Sequence, residues 1–379
     1  MDLKNEIFQA IQSGDVTKVK GFLSGIQDVD LEDEHGTTLL QTAAFKGSLE
    51  LCKLLLDMGA DPNGGHHDSS YSTLHFAALS GNPEVCALLL EAGSKPDSLN
   101  TVNRTPAQMA AFIGNHSCVA VINNYVDKSY VEYYTQVHGQ ETEPKLDRSL
   151  LNPLHSLVNL VNMHPVKIIQ FVSKNSQMKN HLSSIVKVLT LMSEKEMKRG
   201  KTTNEILAFK FHYISHMLNL LLKEESSDLT SAKEKFQSTE EYIIRLLLLS
   251  MNGVSQYQEG VIREAVKLYP FKETMTFRQL LTSLSEKPTV SGTPGYLIVD
   301  SVVNGQKGFY DDMYCATCGE MSKTHKKCIK CKAVQYCSKQ CQKLHWFVHK
   351  KECEILRKTG RTTEKELADG VNQMQVKEN

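Results

Sequence analysis

Four glycines, Gly14, Gly47, Gly81 and Gly114, recur at steps of 33, 34 and 33 residues, each followed within a few residues by an apolar run of helical spacing. Paired alanines keep the same register at Ala43-Ala44, Ala77-Ala78 and Ala110-Ala111. A period of this length restricts the fold more than local propensity does, because each unit buries its apolar face only against its neighbours. The first third of the chain is therefore expected to be a stack of helical units.

The repeating phrases TLLQTAAFKG, STLHFAALSG and TPAQMAAFIG carry the local chemistry. Thr38, Ser72 and Thr105 each offer a side-chain oxygen to cap a helix, Pro106 suits a first helical position, and the alanine pairs let helices approach closely. Gly59 and Gly93 end the second helices. Phe8 to Leu23 keeps the glycine and the apolar spacing but lacks the capping phrase, as a terminal repeat would. Cys52, Cys86 and Cys118 share one position inside apolar helices and read as small core residues. These phrases resemble the ankyrin signature TPLHxAAxxG, so residues 1–126 are identified as about four ankyrin repeats. The resemblance implies a concave face and projecting turn tips that bind other proteins. On the longest tip, Asn63 to Tyr71, His66 and His67 stand beside Asp68; on so Gly-rich a turn, solvated histidines are favoured over a metal site.

Charge gives no global direction, since Lys plus Arg and Asp plus Glu both total 43. No long-range pull toward nucleic acid or anionic membrane follows from composition. Met1 to Ala10 has neither the basic flank and apolar core of a secretion signal nor a glycine at position 2, and the longest apolar runs fall far short of a membrane span. A cytoplasmic protein is expected. Residues 127–150 are polar and Tyr-rich with Pro144, which reads as an extended linker. Helical periodicity returns around Pro153 to Val172, Leu182 to Met197, Asn204 to Leu222, Glu240 to Ser250 and Gln256 to Leu268, so 151–286 reads as an all-α domain. His212 and His216 stand four apart without the glutamate or third ligand of a catalytic zinc site, and read as core or surface histidines. Residues 287–314 read as a connection with one short strand, Tyr296 to Val303. Nucleotide-binding loops and nucleophile elbows are missing from the sequence, which points away from an enzyme.

The strongest chemical signal lies near the C-terminus: Cys315-x2-Cys318, Cys328-x2-Cys331, Cys337-x3-Cys341 and His349-x3-Cys353. Seven of ten cysteines in so short a stretch point to metal rather than disulfides in a reducing compartment. Eight ligands make two closed four-ligand sites, and a closed zinc site is structural because no position remains for water or substrate. A segment this short folds on metal-binding free energy rather than on a core. Spacing leaves sequential and interleaved pairing open, and His345, one turn before His349, is a rival ligand. Nine lysines and no acidic residue lie between Lys323 and Lys351; part of that charge offsets zinc-bound thiolates. The excess suits an acidic partner or anionic surface, whereas the lack of an aromatic stacking series disfavours nucleic acid.

The ligand order, ending in YCSKQCQKLHWFVHKKEC, resembles the MYND finger family over residues 315–353. The resemblance implies Cys315, Cys318, Cys337 and Cys341 on one zinc and Cys328, Cys331, His349 and Cys353 on the other. It also implies a groove for proline-containing peptides lined by Gln342 and Trp346, the latter equally suited to packing the finger. Residues 354–379 read as a polar tail. The whole is expected to be mainly α: an ankyrin solenoid, a helical middle and a small two-zinc finger. Proteins that join ankyrin repeats to one MYND finger imply a non-enzymatic adaptor that carries membrane signalling proteins, guanylyl or adenylyl cyclases among them, to cilia. The alternatives are a chromatin-associated recruiter and a MYND-bearing methyltransferase, whose SET phrases do not occur in the middle of the chain.

Overall fold

The computed structural model describes residues 3–26, 28–225, 238–249, 255–285, 293–305, 314–322 and 324–375, with side chains described except at 201, 224–225 and 358–375. Contacts divide the chain into two units, Met1–Gln136 with Val303–Gly308, and Val137–Val302 with Phe309–Asn379.

The first unit is built of helix pairs: α1 (Leu3–Ser13) with α2 (Val16–Leu23), α3 (Leu39–Lys46) with α4 (Leu49–Asp57), α5 (Thr73–Ser80) with α6 (Pro83–Glu91), and α7 (Pro106–Phe112) with α8 (His116–Asn123). The four periodic glycines all sit in the left-handed region, with φ between +71° and +82°, where a side chain is strained. Thr38, Ser72 and Thr105 accept from the amides of Gln41, His75 and Gln108, whose side chains bond back to the cap. Each such cap contributes about 1 kcal/mol. The repeats are also stitched to one another. Asn82 Nδ2 donates to the Gly47 carbonyl and Asn115 Nδ2 to that of Ala78, both at 2.9 Å. One apolar core runs from Ile7 to Ile122 and contains Cys52, Cys86 and Cys118.

The stretch expected as an extended linker is partly helical. Lys128–Glu132 forms α9 and Tyr133–Thr135 a 3-10 turn, and Val131, Tyr134, Leu146 and Leu150 are buried. Its polar residues lie between apolar ones that find core partners, which tyrosine-rich composition concealed.

In the second unit, Leu151–Val158 (α10) and Pro165–Lys174 (α11) are separate helices where the periodicity suggested one segment. Pro165 explains the break: it stands at a first helical position with His164 as the N-cap, and the residue before a proline is pushed out of helical geometry. Ser176–Lys179 (α12) leads to Leu182–Met197 (α13) and Glu205–Glu225 (α14), which pack along each other. Thr239–Leu248 (α15), Gln256–Lys267 (α16) and Met275–Ser283 (α17) complete the helical body, with Ile185, Val188, Phe209 and Tyr213 fully buried.

Residues Gly295–Asn304 form a helix, α18, and not the expected strand. The run YLIVDSVV is apolar and β-branched, so composition favours a strand, yet its buried residues Val299, Val302 and Val303 follow helical spacing. Residues 286–292 and 306–313 of the proposed connection lie outside the described residues.

The finger holds one two-stranded ladder, β1 (Lys326–Lys327) antiparallel to β2 (Gln335–Tyr336), followed by a long helix, α19 (Lys339–Gln375). That helix continues through the polar stretch after the finger as far as Gln375: residues Ile355 to Gln375 contain no proline, and a helix already nucleated by the finger propagates at little further cost. Among the described residues no helix is long and apolar enough to cross a membrane.

Candidate metal centres

Each ligand reaches its site by a local backbone device. The Cys315 amide donates to the Glu320 carbonyl at 2.8 Å and the Gly319 amide to the Cys315 carbonyl at 2.9 Å, folding Cys315 and Cys318 into a tight knuckle. The second knuckle repeats the pattern, with the Lys332 amide donating to the Cys328 carbonyl at 2.8 Å and Lys332 in the left-handed region. Ser338 caps α19, its oxygen accepting from the Cys341 amide at 3.1 Å. One turn of that helix then places Cys341 inward, and two further turns bring His349 and Cys353 to a shared face.

The structure brings Cys315, Cys318, Cys337 and Cys341 together, and separately Cys328, Cys331, His349 and Cys353, with the ligand atoms of each group within 4.8 Å of one another. The pairing is interleaved. Sulfur separations in the first group are 3.7 Å for Cys318 to Cys337, 3.5 Å for Cys337 to Cys341 and 3.7 Å for Cys341 to Cys318. A tetrahedron with zinc–sulfur bonds of about 2.3 Å has edges of about 3.8 Å. In the second group Cys328 and Cys353 sulfurs are 3.9 Å apart, and Cys331 Sγ is 3.5 Å from His349 Nε2. A zinc with one nitrogen at about 2.05 Å gives a mixed edge of about 3.55 Å. All these spacings are far beyond a disulfide bond of about 2.05 Å. The donor set and the edge lengths fit two structural zinc ions, with His349 bound through Nε2.

The thiols of the two groups share their protons unevenly: hydrogen bonds to Cys315 and Cys341 raise Cys318, and burial raises Cys337 and Cys353, whereas Cys315 and Cys328 are lowered. Cys315 is held far below the ordinary thiol range by hydrogen bonds from Cys318 and Cys341, aided by the amides of Cys337 and Thr317. Burial raises Cys328, but the Cys331 amide and His349 outweigh it and bring the group to about 6.

His345 is not a ligand in either group. Its Nδ1 lies 3.1 Å from the Tyr336 hydroxyl, and its ring stacks on that of His349 at 5.9 Å. His349 Nδ1 is buried with no hydrogen-bond partner among the described residues, so neighbouring rings set its orientation. Trp346 is one of them, edge-on at 6.0 Å. Trp346 and Gln342 are both half-buried, one turn apart on α19.

The finger is fastened to the helical body of its unit, which spacing did not signal. Asn162 Nδ2 donates to the Cys318 carbonyl, Lys167 pairs with Glu320, and Gln170 Nε2 lies 3.9 Å from Cys341 Sγ. Burial opposes the charge on Lys167, but Glu320 and the sulfurs of Cys318 and Cys337 hold it above the ordinary lysine value. Arg245 of α15 stacks over the Phe347 ring at 5.1 Å.

The other histidines are engaged elsewhere. His66 Nδ1 pairs with Glu32 at 2.7 Å, whereas His67 packs edge-on against Phe76 at 5.2 Å. Asp68 pairs with His35 at 3.4 Å. His212 Nε2 donates to the Ala265 carbonyl at 2.8 Å, and His216 faces Glu264 at 4.0 Å. On the repeats, Phe45 and Phe112 occupy equivalent positions and are 58% and 71% exposed, with Arg104 stacked on Phe112 at 4.6 Å.

Comparison with known proteins agrees with both ends. Residues 7–100 match the ankyrin repeat family in three copies, and residues 315–353 match the MYND finger family. The chain is 31% identical over 366 residues to Dauer abnormal formation protein 25 of Caenorhabditis elegans, covering 93% of this chain and 91% of that one. Two shorter similarities cover one end each. SET domain and MYND-type zinc finger protein 6 of Schizosaccharomyces pombe is 48% identical over 42 residues, 11% of this chain and 9% of its own. Ankyrin repeat domain-containing protein 29 of Homo sapiens is 44% identical over 62 residues, 16% and 21% of the two chains.

Proposed function

Because the chain belongs to the family of ankyrin-repeat, MYND-finger proteins that includes Dauer abnormal formation protein 25, we propose that it is a non-enzymatic cytoplasmic adaptor. The observation that carries this reading is the chemistry of its one cysteine-rich site. Both metal centres have four protein ligands each, and such centres hold a fold rather than activate water. The ankyrin stack supplies the larger binding surface. Phe45 and Phe112, with half-buried Leu79 at the equivalent position between them, form an apolar stripe suited to a folded cargo. The finger takes a short proline-containing peptide along Gln342 and Trp346. The cargo class follows from the resemblance: membrane signalling proteins, nucleotide cyclases among them, bound for cilia.

A methyltransferase reading draws support from relatives named for a SET domain or for lysine methyltransferase activity, and their similarity spans short partial stretches of this chain. A chromatin recruiter has the basic finger in its favour. Affinity capture separates these readings, using the full chain, a chain lacking residues 1–126 and a chain with Phe45→Ala and Phe112→Ala. Cyclase capture lost in both altered chains supports the adaptor. Capture of chromatin proteins with nuclear accumulation, or methyl transfer from S-adenosylmethionine, would overturn it.

A further inference from the structure

Between the finger and the helical body of its unit lies a groove of about 460 Å³, bounded by α11, α15 and the start of α19. Its size is that of a typical ligand cleft. We propose that it receives an acidic, extended segment of a partner protein.

Charge is the first argument. Lys174, Arg245 and Lys343 line the groove against a single carboxylate, Glu241. That carboxylate is already engaged: Arg245 donates to it through Nε and Nη2 at 3.0 and 2.8 Å, one helical turn away. Lys174 and Lys343 are exposed and make no ion pair among the described residues. The groove therefore presents a net positive charge close to two.

The lining is the second argument. Ile244 and Leu344 give an apolar floor, while Gln170 and Gln340 bring amide groups that both donate and accept. An extended peptide has matching parts, with backbone groups for the amides, an apolar side chain for the floor and flanking carboxylates for the lysines. A membrane surface would use lysines on a convex face, and here they line a concavity.

Position separates this groove from the peptide surface discussed above. At 100° per residue, Gln340 and Leu344 lie about 120° or more around α19 from Gln342, Trp346 and His349, while Lys343 stands at the border, about 60° from Trp346. The site also needs both parts of the unit, since neither the finger nor the helical body alone supplies its walls.

The test uses the zinc-loaded full chain and a fluorescein-labelled peptide in which aspartates and glutamates flank a central leucine, with its asparagine and glutamine counterpart as reference. Fluorescence anisotropy should show the acidic peptide binding, with Lys174→Glu plus Lys343→Glu weakening it by about ten-fold or more. Lys267→Glu plus Lys272→Glu, the same charge change at two exposed positions elsewhere on the unit, should alter it by less than about two-fold. The amide peptide should bind at least about ten-fold more weakly than the acidic one. No binding of the acidic peptide overturns the proposal. So does equal loss in the groove variant and the Lys267 plus Lys272 variant, or an unchanged affinity in the groove variant. Phosphatidylserine vesicles captured through Lys174 and Lys343, with peptide binding indifferent to them, would assign the groove to a membrane instead. If the reversed variant loses zinc, Lys174→Gln plus Lys343→Gln replaces it, with a weakening of about three-fold as the threshold.

Discussion

Asn162 donates from Nδ2 to the carbonyl of Cys318 at 3.0 Å, tying the turn before α11 to the first zinc knuckle. One residue on, Gly319 lies flat against His164. A finger that spacing presents as a self-contained module is thus part of a larger folding unit, and its stability is shared with the helices beneath it.

Gly319→Ala should loosen that attachment. Gly319 has φ +65°, and an added Cβ would stand 2.9 Å from His164 Cδ2 and 3.1 Å from His164 Cβ. His164 cannot easily yield, because it is buried and its Nδ1 accepts from the Val166 amide to cap α11. The expected cost is about 1–3 kcal/mol from backbone strain and crowding together. Urea unfolding of the zinc-loaded chain measures it, and in a double-mutant cycle with His164→Ala the share of the crowding that comes from the imidazole ring should be recovered, the Cβ contact remaining. An unchanged midpoint would mean the close approach is not maintained in solution.

Chelation should distinguish two populations of cysteine. A strong zinc chelator should release two ions per chain and expose the seven thiols between Cys315 and Cys353 to a thiol reagent. Cys52, Cys86 and Cys118 should stay unreactive until the repeats unfold. Burial pushes Cys52 up to about 12, Cys86 is raised because its thiol donates to Cys118 and is buried, and Cys118, lowered by that bond, is shielded by its complete burial. Release of fewer than two ions, after correction for losses in purification, would contradict the ligand assignment.

Lys210 should give the chain a pH dependence of unusual sign. It is fully buried in α14 with Nζ lacking a hydrogen-bond partner among the described residues, and burial lowers it from 10.5 to about 7. Between those values the unfolded chain binds a proton that the folded chain does not, so stability rises with pH, by at most about 1.4 kcal/mol per unit. Below pH 7 both states are protonated and the burial penalty is present in full. Lys210→Met removes the charge while keeping an unbranched chain. It should be more stable than the parent at pH 7, with the difference shrinking from pH 7 to 9 in urea titrations. Parallel curves for the two proteins would show that Lys210 finds a partner for its charge.

Trp346→Ala should retain both zinc ions, because no ligand is altered, and should weaken capture of a proline-containing peptide by about 30-fold, or about 2 kcal/mol. The zinc count decides the interpretation. Retained zinc with unchanged capture removes Trp346 as the anchor. Lost zinc would show that its edge contact with His349 at 6.0 Å supports the site itself.

Three features are determined within a few residues of chain, and the sequence by itself determined them. Thr38, Ser72 and Thr105 cap helices through amides three positions away, the periodic glycines adopt the backbone region that only glycine takes without strain, and each knuckle closes on its own amides. Such hydrogen bonds are local, so residue type and spacing carry them. The tertiary structure decided what depends on distant partners. Tyr296 to Val303 is β-prone in isolation, yet it is helical where Glu259 accepts from the Gly295 amide at 2.7 Å and Val299 is buried. The finger's attachment rests on pairs such as Asn162 with Cys318 and Gln170 with Cys341, 156 and 171 residues apart. No period links such positions, because their contact exists only once separate helices have packed and excluded water between them.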